Sequence, residues 1–150
     1  LGAAYFYHLT HRPLAEALRQ LLLRSLDAGW QVAVRGANER RLAQLDQALW
    51  QGEGFLPHGL AGGPHDGDQP VLLTLSVAAA NQPACVISVD GADIAPDEVT
   101  ALQRACILFD GNSGPGLDKA RSQWRALTGA GVSAQYWAED NGKWQMKAEA

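Results

Sequence analysis

The sequence predicts one three-layer α/β domain spanning residues 1–150, with a mainly parallel central sheet covered by helices on both faces. Three observations point there. Short apolar runs alternate with stretches in which leucine recurs at helical spacing. The apolar runs are continuous instead of alternating, the pattern of strands buried on both sides. Neither an internal repeat nor an interdomain linker divides the chain, and its length suffices for one sizeable core.

Ala3 to Leu9, short and aromatic, reads as the first strand. Thr10 as a cap and Pro13 in the first turn then announce a helix carrying Leu14, Leu18, Leu21, Leu22 and Leu26 on one face, stopped at Gly29. Trp30 to Arg35 reads as a second strand, and Asn38 caps a helix that places Leu42, Leu45, Ala48 and Leu49 on one side. From Gln51 to Pro70 periodicity stops, and glycine and proline make a long loop of the kind that carries function. Val71 to Val77 and Ala84 to Val89 follow as strands, and Pro96 opens a short helix through Leu102. Arg104 to Asp110 is an apolar strand, Leu117 to Leu127 a helix, and Val132 to Glu139 a last strand before a turn at Asp140-Asn141-Gly142.

The formal net charge of -4 at pH 7 argues against a domain that works by coating DNA phosphates, so any DNA contact is expected to be mainly indirect. No apolar run approaches the length of a membrane span, and the opening segment lacks the charged stretch of a leader, so a cytoplasmic protein with no membrane partner is expected. Cys85 and Cys106 sit inside apolar runs, as buried free thiols do in a reducing compartment.

Catalytic chemistry finds few footholds. The stretch after the first strand, His8 to Pro13, has no glycine, so the dinucleotide fingerprint is missing, and no Walker lysine motif exists. The Asp110-Gly111-Asn112-Ser113-Gly114-Pro115-Gly116 turn could cradle a phosphate with its amides, which keeps a nucleotide- or phosphate-binding enzyme as the alternative reading; the same string also serves any strand-to-helix connection. Ser88, Asp90 and Asp110 at strand ends could cluster, but such carboxylates more often cap turns. His8, His11, His58 and His65, with Asp66 and Asp68, show no metal-ligand spacing. No catalytic residue, metal or cofactor is expected.

Leu45-Asp46-Gln47-Ala48-Leu49-Trp50, followed by Gly54-Phe55-Leu56-Pro57-His58-Gly59, resembles the signature of the chi subunit family of bacterial DNA polymerase III holoenzyme. There a Leu-Asp-x-x-Leu-Trp helix end leads into a Phe-x-Pro-His stretch. The resemblance covers essentially the whole chain, most specifically from Trp50 to Gly62. It implies a Rossmann-like fold with no intact nucleotide-binding motif, and a non-catalytic accessory role in the clamp-loader complex. It further implies that Trp50 and Phe55, with Leu49 and Pro57, belong to the surface that docks the psi subunit or an equivalent such as a helicase. From the residues alone, the two aromatics either form such an interface or pin the long loop to the core.

The second implied surface is Arg121, Trp124 and Arg125, which one helix face presents together. Matching family positions grip the acidic C-terminal tail of single-stranded DNA-binding protein (SSB). Two planar cations and an aromatic wall suit carboxylates and a terminal ring; an ordinary solvated face with Trp124 in the core is the other reading. A lysine one turn earlier in some relatives is Leu117 here, with Lys119 near, so one cationic contact is missing or relocated. Lys143 and Lys147 add charge without a motif.

Overall fold

The computed structural model describes residues 2–52 and 54–150; Leu1 and Glu53 lie outside the described residues. The elements run β1 (Ala3–Leu9), α1 (Leu14–Asp27), β2 (Val32–Arg35), α2 (Glu39–Trp50), β3 (Gly59–Leu60), a short 3-10 turn (Asp66–Asp68), β4 (Val71–Thr74), β5 (Cys85–Ser88), α3 (Pro96–Ala101), β6 (Arg104–Asp110), α4 (Gly114–Gly129), β7 (Ser133–Asp140) and β8 (Lys143–Glu149). One sheet gathers all eight strands in the order β3-β4-β2-β5-β6-β1-β7-β8. Its pairings are parallel except the last, where β8 runs back along β7.

Side-chain alternation on the strands divides the interior in two. Tyr7 and Leu9 of β1 face a cluster with Leu18 and Leu22 of α1 and Leu42, Leu45 and Leu49 of α2. Ala4 and Phe6 face the opposite cluster, with Val99 of α3 and Ala120 and Leu127 of α4. The three-layer, mainly parallel Rossmann-like architecture is therefore present. Each fully buried leucine contributes about 1.5–3 kcal/mol from removal of apolar surface from water.

Several local expectations need correction. Thr10 is not a cap; Pro13 occupies that position of α1, and no side chain caps the helix. The long loop contains the two-residue strand β3, and β4 ends at Thr74, short of Val77. Helix α4 begins at Gly114, three residues before Leu117, because Ser113 caps it by accepting from the Gly116 amide. Beyond the Asn141-Gly142 turn, where both residues have positive φ, the chain forms an unforeseen strand, β8. Such a pair of left-handed residues is what a tight hairpin requires.

Candidate functional site

Two exposed surfaces carry the distinctive residues. In α2, the inward periodicity that seats Leu45 and Leu49 turns the next residue outward by roughly 100°. Leu49 is 2% exposed and Trp50 48%. Phe55 is 75% exposed, and its ring centroid lies 5.9 Å from that of Trp50. Pro57 is half-buried beside them in sequence. Of the four residues expected on this face, Leu49 is thus corrected: it lies in the core, beneath the surface and unable to touch a partner directly.

Buried polar contacts hold the patch from below. The Trp50 ring stacks on His58 at 4.2 Å with 36° between planes. His58 is buried, with Nδ1 2.7 Å from the Leu56 carbonyl and Nε2 3.2 Å from both the Asp46 carbonyl and Oδ1. Arg19 of α1 donates to the carbonyls of Leu49 (2.8 Å) and Gly54 (3.0 Å), tying the helix end to the loop. Sequence reasoning missed the contacts of Arg19 and Asp46, since they join separate segments.

On the opposite face of the sheet, Arg121, Trp124 and Arg125 project from α4. Both arginines are exposed and Trp124 is half-buried. The indole meets Phe6 edge-on at 5.3 Å and Tyr136 at 6.0 Å, which fixes its orientation while leaving part of it at the surface. Arg121 lies 4.0 Å from Asp118, a surface pair of little energetic weight. Leu117 packs against the core and Lys119 pairs with Asp93, so neither supplies a further cation beside Arg121.

Beneath this face, His8 Nδ1 lies 2.7 Å from the Tyr136 hydroxyl. Burial holds the His8 pKa below its ordinary value, Asp110 and Glu139 oppose that, and Arg121 reinforces it. Burial raises the Tyr136 hydroxyl pKa, while Arg121 lowers it. Gly111 packs directly on the imidazole: a Cβ there would stand 1.7 Å from Nε2, so no other residue fits without displacing His8.

A crevice of about 750 Å³ opens at the carboxyl ends of β1 and β6, where open α/β sheets commonly bind ligands. Its cationic side chains already have carboxylate partners. Arg12 pairs with Glu139 (3.6 Å), Arg41 with Asp90 (3.2 Å) and Lys119 with Asp93. The amides of the glycine turn serve the fold: Gly111 donates to Leu9, Asn112 to the Asp110 carboxylate, Ser113 to the Asp110 carbonyl and Gly116 to Ser113. Ser88 donates to the Ala92 carbonyl, so Ser88, Asp90 and Asp110 each have separate partners instead of forming a cluster. Among the described residues, no three His, Cys, Asp or Glu side chains converge as a metal site. Cys85 and Cys106 are free and buried. No helix is long and apolar enough to cross a membrane, again among the described residues.

A Rossmann-like domain whose crevice cations are internally paired, and which exposes Trp50, Arg121 and Arg125 on helices and Phe55 on a loop, has the profile of an accessory domain. Residues 2–135 match the DNA polymerase III chi subunit, HolC, family, and the chain belongs to it. Its role accordingly lies in DNA replication, as an accessory component of that polymerase. The match ends within β7, so β8 lies beyond the matched span. No curated protein matches the chain.

Proposed function

We propose that the protein is a non-catalytic adaptor that links the polymerase III clamp-loader complex to the acidic C-terminal tail of SSB in the cytoplasm. The observation that carries this reading is the pair of exposed arginines, Arg121 and Arg125, flanking a half-buried Trp124 on α4. Their guanidiniums match carboxylates, and the indole offers an apolar wall for a terminal aromatic ring. The Trp50/Phe55 patch, on the other side of the sheet, takes the psi subunit or an equivalent partner, a helicase included. Family membership supports both assignments.

Calorimetry with an SSB C-terminal peptide tests the first surface. Loss of one charge-assisted contact, worth about 1.5–3 kcal/mol, corresponds to roughly tenfold or more in Kd. Arg125→Ala and Arg121→Ala should each show such a loss with Tm nearly unchanged. Unaltered binding by both variants would dispose of the assigned site.

A further inference from the structure

We infer that Arg104 and Arg24 form a third binding site, separate from both surfaces above, one that takes a single oxyanion, carboxylate or phosphate, at the amino-terminal end of the sheet. This does not rest on the adaptor reading. Arg104 opens β6, at the opposite end of the strands from the crevice. Its guanidinium carbon lies 4.1 Å from the Tyr5 ring centroid and 5.4 Å from that of Trp30. The aromatic contacts orient the planar fork without supplying any hydrogen-bond acceptor. Among the described residues none accepts from the Arg104 side chain, and its Nε is fully buried and unpartnered. Arg104 as a whole is half-buried, and its Nε lacks the hydrogen-bond partner that buried nitrogens ordinarily have.

Beside it lies a pocket of about 120 Å³, lined in part by Tyr7, Arg24, Ser25, Trp30, Arg104 and Cys106. Arg24 stands in the last turn of α1, exposed to solvent, with no ion pair among the described residues. Both arginines act electrostatically on the Tyr7 hydroxyl. Burial nevertheless raises the pKa of that hydroxyl, so it stays protonated and can donate. Ser25 already donates to the Leu21 carbonyl, and its oxygen remains an acceptor. Two arginines without carboxylate partners among the described residues and a tyrosine thus line a space large enough for one compact anion head, in a chain whose overall charge is -4. A guanidinium fork presents parallel donors to carboxylate and phosphate oxygens alike, so those two chemistries share the site.

The test is an isotope-edited NMR titration of the full chain, following the Trp30 indole N–H and the Arg104 Nε–H at constant ionic strength. One arm uses inorganic phosphate and the other N-acetylglutamate, which stands in for an acidic side chain. A saturable shift of both signals in either arm is expected, and the tighter arm identifies the source of the anion. Arg24→Ala, an exposed change that leaves the aromatic stack in place, should weaken the midpoint at least fivefold; Arg104→Lys should do so as well. Linear, unsaturating shifts in both arms, or a midpoint that Arg24→Ala leaves unchanged, would overturn the assignment.

Discussion

The indole of Trp50 stacks on the imidazole of His58 at 4.2 Å, so an exposed ring stands on a buried one. Both imidazole nitrogens face acceptors, from Leu56 on one side and Asp46 on the other. The loop that carries Phe55 is thereby fastened to α2 through the same residue that supports Trp50. Removing the ring would leave those acceptors unmatched, at a cost of about 1–3 kcal/mol. His58→Ala should therefore lower Tm and weaken capture of the partner proposed for Trp50 and Phe55 together. A variant with the wild-type melting curve and full capture in a pull-down would show that His58 supports nothing.

Leu49 and Trp50, neighbours in sequence, should respond in opposite ways. Leu49→Ala opens a cavity in the core and should cost about 2–5 kcal/mol. Trp50→Ala removes a half-exposed ring, and its stability change should stay close to 1 kcal/mol, the usual scale for ordinary substitutions. The pull-down reverses the order: Trp50→Ala should release the partner while any folded Leu49→Ala protein retains it. Chemical denaturation alongside the pull-down separates the two effects.

The proposed capture of the SSB tail by Arg121 and Arg125 should weaken as salt rises, because exposed charges are screened over about 8–10 Å at physiological ionic strength. Raising salt from 50 to 300 mM should lower affinity severalfold in the wild type and less in Arg121→Ala. Trp124→Leu should weaken binding while preserving the salt slope. A salt slope identical in wild type and Arg121→Ala would remove the arginine from the contact.

Arg35 of β2 and Glu98 of α3 form an ion pair between sheet and helix. The two guanidinium nitrogens lie 3.1 and 2.6 Å from the carboxylate oxygens and donate further to the carbonyls of Asp93 and Val77. Burial raises the Glu98 pKa, but the Arg35 hydrogen bonds, the Ala95 amide and the Arg35 charge together hold it below its ordinary value. Glu98→Ala leaves a buried guanidinium uncompensated, which typically costs about 3–5 kcal/mol; the partial exposure of Glu98 places the expectation near the lower end. Urea denaturation measures it, and a change under 1 kcal/mol would contradict the account.

Acidification should expose His8. Its folded pKa lies below the ordinary 6.5, so between the two values the unfolded chain binds more protons. The contribution of neutral His8 is fully present above about pH 6.5 and is lost as pH falls toward the folded pKa. His8→Gln should flatten that part of the stability profile, leaving the Glu98 contribution to disappear lower, as pH falls from its ordinary 4.5. Tm measured from pH 4 to 8 in both proteins checks the difference.

The sheet and its helices were legible because leucine spacing and continuous apolar runs obey simple periodicities. Two strands were not. In β3, Gly59 sits inside a glycine- and proline-rich stretch, and only pairing with β4 makes it a strand. In β8, Lys-Trp-Gln-Met-Lys-Ala-Glu is largely polar, and it is held by β7 and the contact of Trp144 with Tyr7 instead of by an apolar run. The exposed aromatics at Trp50 and Phe55 could be anticipated from a helix end and a loop. The supports beneath them could not, because Arg19 meets Leu49 and Gly54, and His58 meets Asp46, only after the chain has closed on itself. Leu49 was legible as core from its own periodicity, and the family pattern alone had drawn it toward the surface.

The ends of the sheet are built differently from its middle. One margin is a strand of two residues, and the other, β8, carries a register irregularity opposite Tyr136 and Trp137 and the lysines Lys143 and Lys147. Short, bent and charged borders discourage further chains from stacking on by backbone pairing. Open-ended polymerisation through the sheet is thereby disfavoured, and association is left to side chains instead of backbone.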